Sequence, residues 1–224
     1  MINLISFYYD ENFKYKHKEA LPSIISSLKK HIDNLETNGW DPTQLIIKTN
    51  FEFNYKDIYS EPFQFTFTLN NLFLSKIIAV YEVLKQFPDE IVWGHDHDTY
   101  QIKPFNQKNI EQIIKNTDII LCNYWPGSNT PQGASVFYNQ MSGTLVDMYN
   151  TIKYINSSKI TDEILFYWFK HKQYNINFNL PYEYNTSLTK YTFNKRFSNN
   201  PLCVHGDLYR RFDGRKYKEY TNKI

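Results

Sequence analysis

Short apolar runs that suit buried strands alternate along this chain with stretches whose apolar residues recur at helical spacing. That alternation limits the folds open to it. Ile2 to Tyr9 reads as a buried strand ending at Asp10. Leu21, Ile25, Leu28, Ile32 and Leu35 mark an amphipathic helix over about residues 20–36, stopped by Gly39. Leu45-Ile46-Ile47 begins a second strand, and Phe63, Phe65 and Phe67 alternate with polar residues as an edge strand would. Asn70 or Asn71 can cap a helix through about Gln86, and Ile91-Val92-Trp93 comes next as a strand. A short helix near Gln107–Lys115 leads to a buried strand over Ile119–Cys122. A further strand is expected at Gly133–Tyr138, then helices at about 141–155 and 161–171. Asn175 to Ile224 reads as irregular, with one apolar run at Leu202-Cys203-Val204. This order predicts an α/β fold with an open, mostly parallel central sheet and helices on both faces. No repeat or linker divides it, so a single domain over 1–224 is expected.

Composition excludes several classes. The 224 residues include 19 Tyr and 17 Phe, enough for a large packed core. A net charge of +2 is too balanced to call for nucleic acid, so no nucleic-acid partner is expected. No apolar run approaches the ~20 residues that span a bilayer. The start, MINLISFYYDENF, lacks a basic leader and reaches Asp10 early. Cys122 and Cys203 each lie in an apolar run and read as buried, reduced thiols. A soluble, cytoplasmic address is the resulting expectation, and there the sequons at Asn156 and Asn185 carry no glycan.

The stretch EIVWGHDHDTY concentrates the chemistry. After the strand at Ile91–Trp93 and the flexible Gly94, His95, Asp96, His97 and Asp98 crowd two carboxylates and two imidazoles into one turn. Like charges that close repel unless a cation, a proton or solvent neutralises them. In open α/β sheets, ligands bind at the carboxyl ends of strands, where this turn falls. Carboxylates at i and i+2 suit Mg²⁺ or Mn²⁺, which can hold a diphosphate. A second signal is LCVHGDLYRRFDGRKY, where an apolar run ends at His205-Gly206 before Arg210, Arg211, Arg215 and Lys216. His205 offers a third metal ligand, Gly206 a close backbone approach, and the arginines bidentate phosphate contacts.

These residues resemble the nucleotide-sugar-dependent glycosyltransferases of the GT-A fold, whose signature is a D-x-D after a buried strand, here Asp96-His97-Asp98. The late His205 resembles the third Mn²⁺ ligand of the retaining, glycogenin-like and galactosyltransferase enzymes of family 8. The resemblance implies a Rossmann-like nucleotide-binding half over 1–105 ending in D-x-D, and an acceptor-side half with a tail over 106–224. It implies a hexosyltransferase-type enzyme with a nucleoside diphosphate-sugar donor, most simply a UDP-sugar, a hydroxyl acceptor on a glycan or similar molecule, and a Mn²⁺ or Mg²⁺ cofactor. Asp96, Asp98 and His205 would hold the metal, and His97 would lie against the metal-bound diphosphate. Phe7, Tyr8, Tyr9 and Asp10 would meet the nucleotide base. Lys76 would reach towards the donor, although a Lys on that apolar helix can equally snorkel to solvent.

Pro131 to Ser135 looks like the small-residue turn that floors the sugar site, and Trp125 either stacks on a sugar or belongs to the core. Thr161 is a good N-cap, and Asp162 and Glu163 in the next turn suit a helix start on capping grounds alone. The resemblance gives the same pair a second role, orienting donor hydroxyls or deprotonating the acceptor. Family 8 has Lys-Pro-Trp after its late His-Gly; here Asp207-Leu208-Tyr209-Arg210-Arg211 stands instead, so Arg210, Arg211 or Lys216 replaces the lysine and the stereochemistry stays open. Two other readings stand beside this one. His95-Asp96-His97-Asp98 partly matches the H-x-H-x-D-H of binuclear zinc hydrolases, but Thr99 comes after Asp98. The aromatic content would also suit a non-catalytic carbohydrate-binding module.

Overall fold

The computed structural model describes residues 1–10, 21–37, 44–124, 128–187, 198 and 201–205. The expected alternation is there. Strand β1 (Ile2–Phe7) is buried on both faces, with Ile2 and Leu4 packed to one side and Ile5 to the other. It lies between β2 (Leu45–Thr49) and β5 (Ile91–His95), parallel to both. Strand β4 (Ile58–Pro62) extends this parallel set beyond β2, and the short β3 (Asn54–Tyr55) closes that edge by hairpin pairing. On the other side β8 (Pro131–Asn139) runs antiparallel to β5 and to β7 (Ile119–Asn123), and β9 (Ile176–Asn177) lies parallel to β7. The resulting eight-stranded sheet has the order β3-β4-β2-β1-β5-β8-β7-β9, with β3 and β8 reversed among otherwise co-directional strands.

Helices cover both faces. Helix α1 (Leu21–Thr37) lays Ile24, Leu28, Ile32 and Leu35 over Ile5 and Ile47, and α3 (Gln107–Ile114) sets Ile110 and Ile114 beside Trp93 and Phe137. On the opposite face α2 (Ser75–Gln86), α4 (Gly143–Ile152) and α5 (Asp162–His171) share one core with Leu4, Val92 and Val136. Among the described residues no helix is long and apolar enough to cross a membrane.

Three expectations change. Phe63, Phe65 and Phe67 form no strand; β4 ends at Pro62, and the three rings instead meet one another at centroid distances of 5.0 Å, Phe67 at the centre. Their alternation reflects half-buried rings on a loop rather than a hydrogen-bonded ladder. The small-residue stretch Pro131–Ser135 is the first half of β8 and not a turn. The irregular C-terminal part holds a second sheet, in which β11 (Cys203–His205) pairs with β10 (Thr186–Ser187) and with β6 (Thr99–Gln101). Cys122 and Cys203 are buried and unbonded to each other, as expected.

Candidate active site

Strand β5 carries the D-x-D residues to the carboxyl end of the parallel strands, and hydrogen bonds to β8 and within the turn fix their geometry. The Asp96 N–H donates to Ala134 O of β8 (3.0 Å), and the Thr99 N–H donates to Asp96 O (3.0 Å) to close the turn. Thr99 Oγ1 donates to the same Ala134 carbonyl (3.1 Å). Strand β6 then leaves the turn and pairs antiparallel with β11, placing His205 opposite Thr99. A residue over a hundred positions downstream is thereby set against the two aspartates. His205 Nε2 lies 3.6 Å from Asp98 Oδ1 and 3.9 Å from Asp96 Oδ2. One ligand atom from each of the three residues falls within 4.8 Å of the others. Two carboxylates and one imidazole at that spacing fit a hard divalent cation.

Lys76, on the first turn of α2, is not a snorkelling surface lysine. It is 8% exposed, its Nζ donates to Gly133 O (2.6 Å), and it pairs with Asp96 Oδ1 and, at 3.4 Å, with Asp162 Oδ2. Burial works to lower the lysine pKa, but the Asp96 and Asp162 charges outweigh it and the net movement is upward. Burial likewise opposes ionisation of Asp96, yet Lys76 and then His205 bring its carboxyl below the usual range. Asp162 moves the other way: burial dominates and raises it despite Lys76. Glu163 is pushed up to about 7 by burial and the Asp162 charge. These two also occupy the first turn of α5, behind the N-cap Thr161, whose Oγ1 accepts from Ile164 N (3.4 Å). Capping and site placement coexist. A Cβ at Gly133 would stand 2.5 Å from Asp162 Oδ2, so only glycine leaves room for that carboxylate, and Glu163 Oε1 accepts from the Gly133 N–H (3.4 Å).

His95 does not belong to the polar turn. It ends β5 with no exposed surface, its Nε2 is 2.6 Å from Asn3 Oδ1 and its Nδ1 3.0 Å from Asp96 O, and its ring stacks on Trp93. Burial takes its pKa down to about 3. A histidine committed to these partners cannot serve as the first ligand of a zinc H-x-H pair. His97 sits between the aspartates with its ring edge-on to Phe7 (5.2 Å), so the end of β1 borders the turn. Tyr8 meets Phe67 (4.4 Å) and Phe63 (5.9 Å), and the Tyr9 backbone is clamped by Asn50 through bonds of 2.7 and 2.6 Å. Asp10 closes the first described stretch. Trp125, Gly206, Arg210, Arg211, Arg215 and Lys216 lie outside the described residues.

The sequence pattern did not reveal a polar stripe on α1. Ser27, His31 and Asn34, spaced i, i+4 and i+7, face inward rather than to solvent. Ser27 Oγ donates to His97 O (2.7 Å), His31 Nε2 lies 2.7 Å from the same oxygen, and Asn34 Nδ2 donates to Gln101 O (2.5 Å). His31 stacks on Tyr100, and burial, reinforced by His95, holds its pKa well below the ordinary value. The neutral ring therefore acts as a donor at Nε2. Heptad spacing of three hydrogen-bonding residues inside an amphipathic helix was the available signal. A cavity of about 300 Å³ is found at the other end of the sheet, lined by Glu90, Glu111 and Asn139, away from these side chains.

No protein-family model matches the sequence, and no curated protein matches it. Solved structures do resemble it in fold. A glycosyltransferase involved in glycosylation of the major capsid of PBCV-1 aligns over 100% of this chain and 99% of its own, with a TM-score of 0.54 at 14% identity. Mouse xyloside xylosyltransferase 1 in its apo form aligns over 92% and 97%, with a TM-score of 0.50 at 11% identity. The glycosyltransferase GlyE of Streptococcus pneumoniae has a TM-score of 0.60 at 8% identity, over 99% of this chain and 60% of its own. At such identities the likeness defines architecture: the chain has a GT-A-like, Rossmann-like α/β fold.

Proposed function

We propose that this chain is a metal-dependent glycosyltransferase of the hexosyltransferase type. It takes a sugar from a nucleoside diphosphate-sugar, most simply a UDP-sugar, and transfers it to a hydroxyl of a glycan or similar acceptor. One observation carries the reading: Asp96, Asp98 and His205 converge at the carboxyl end of the parallel strands, and Lys76 links Asp96 to Asp162. Ligands of open α/β sheets bind at this end, and the fold is similar to those of three solved glycosyltransferases.

In this reading Asp96, Asp98 and His205 hold Mn²⁺ or Mg²⁺. When bound, the cation supplies positive charge to a departing nucleoside diphosphate. Phe7, Tyr8 and Tyr9 border the base, Asp10 accepts from its N–H, and His97 lies along the diphosphate. Gly206, Arg210 and Arg211 complete the phosphate contacts. Asp162, fixed by Lys76 and by the space Gly133 leaves, orients sugar hydroxyls. Glu163, its carboxyl at about 7, is matched to exchanging a proton with the acceptor hydroxyl near neutral pH. The chain serves as one domain, 1–105 forming the donor half and 106–224 the acceptor half.

The test is turnover of a panel of UDP-sugars with Mn²⁺ and a glycan acceptor, read as UDP release and as sugar transferred. Transfer that needs Mn²⁺ and is lost in Asp98→Ala supports the reading. Turnover that ignores metal, or ester hydrolysis without transfer, contradicts it.

A further inference from the structure

On the face of the sheet that packs against α2, a buried ion pair that includes none of the cluster residues joins β2 to that helix. Lys48 is 1% exposed and Glu82 4%, and Lys48 Nζ donates to Glu82 Oε2 at 3.0 Å. An ion pair this deep is a weak source of net stability, because desolvation opposes its Coulomb gain. What it does here is hold backbone. Glu82 Oε1 accepts from both Gln64 N and Phe65 N (2.9 Å each), and Lys48 Nζ also donates to Pro62 O (3.2 Å). The loop after β4 has no ladder partner for those two N–H groups, so a side-chain carboxylate supplies what a strand would.

That loop carries an aromatic wall to the site end of the sheet. Phe63 and Phe67 flank Tyr8 just beyond the end of β1, and Phe65 reaches Tyr149, which stacks on Tyr81 of α2. Its far end is tied by Asn70 Nδ2, which donates to Asn156 Oδ1 (2.6 Å), before the chain enters α2 and reaches Lys76. The half-buried Phe63 and Phe67 are thus placed by Glu82 rather than by regular structure.

We propose that Glu82, held by Lys48, is a positioning residue for the nucleotide end of the site: by fastening Gln64 and Phe65 it fixes the Tyr8–Phe63–Phe67 wall against which a planar base lies. This rests on the glycosyltransferase reading. The wall's value is pre-organisation, since a loop that must be ordered on binding costs affinity.

Removing the Lys48 charge would leave Glu82 buried and unpaired, and removing the Glu82 charge would leave Lys48 only the half-exposed Glu61 at 3.7 Å, so the test uses two double variants of similar size that are uncharged at both positions. K48M/E82Q keeps an acceptor for the two N–H groups, and K48M/E82M removes it. UDP is titrated calorimetrically with Mn²⁺ present, and Mn²⁺ is titrated alone. The expected result is a UDP Kd about tenfold weaker in K48M/E82M than in K48M/E82Q, the latter within about threefold of wild type. Mn²⁺ affinity should be the same in all three, which general loss of structure would not leave intact. Equal UDP affinities in the two variants, or a parallel loss of Mn²⁺ affinity, overturn the positioning role. A wild-type protein that binds no UDP overturns the glycosyltransferase reading, and this role with it.

Discussion

Lys76 Nζ stands between two carboxylates from distant parts of the chain, paired with Asp96 Oδ1 of the D-x-D turn and 3.4 Å from Asp162 Oδ2 at the start of α5. One ammonium thus lies between a carboxylate of the D-x-D turn and a carboxylate of α5. Lys76→Met should leave the two anions facing each other without a cation. Breaking a buried pair typically costs on the order of 3 kcal/mol, so the metal-free melting temperature should fall by several degrees. Mn²⁺ should then stabilise the variant more than the wild type, because it restores the missing charge. Equal metal-free melting temperatures would contradict this arrangement.

Gly133 is needed for space rather than for backbone freedom. A methyl group there would meet Asp162 Oδ2 at 2.5 Å and force the carboxylate aside. Gly133→Ala should lower kcat by about 10²-fold, the scale of an ångström misplacement, with little change in Mn²⁺ affinity. Loss of metal binding instead would mean that the strain spreads to the D-x-D turn.

The α1 stripe predicts a metal-site effect from a helix that holds no ligand. In the double variant S27A/H31F the His97 carbonyl loses both side-chain donors while a ring still stacks on Tyr100. Mn²⁺ affinity should weaken by about tenfold, as when groups supporting a metal ligand are removed. An unchanged Mn²⁺ titration would reduce the stripe to packing.

Glu163 gives the pH dependence a sign. Its carboxyl titrates at about 7 in the fold, against 4.5 as the ordinary value. Below the ordinary value both folded and unfolded states are protonated. As pH rises through the window up to about 7, the fold retains a proton that the unfolded chain releases, so stability falls. The melting-temperature advantage of Glu163→Gln over wild type should therefore grow between those two pH values and level off above. Transferase activity of the wild type should rise through the same upper pKa, and the variant should lack that rise. Parallel stability curves would show that Glu163 titrates normally.

The parts of this fold that the sequence revealed are those where local pattern and tertiary role agree. The runs at Ile2–Phe7, Ile91–Trp93 and Ile119–Cys122 are apolar because both faces of a central strand are covered, and Thr161 caps α5 as its residue type predicts. The Lys56-Asp57 turn of the β3–β4 hairpin stayed hidden: both residues take positive φ, 52° and 61°, without the glycine or asparagine that would announce it. Phe63, Phe65 and Phe67 gave a strand-like alternation because Glu82, far along the chain, replaces the ladder. The pairing of His205 with the D-x-D turn depends on β6 and β11 meeting across the chain, which no local window encodes. For Lys76 the sequence left a donor-side role and a snorkelling surface role open, because its partners, Asp96 and Asp162, are distant in sequence.

The most direct test of the central claim is a thermal-shift measurement on the purified chain and on Asp98→Ala. UDP-, GDP-, CMP- and dTDP-sugars are each added with Mn²⁺ and with a chelator. A ligand that binds only the folded state raises its melting temperature. The account predicts that UDP-sugars raise it in Mn²⁺, that the chelator removes the gain, and that Asp98→Ala loses it while keeping a metal-free melting temperature within about 2 °C of wild type. No gain with any nucleotide under either condition would contradict it.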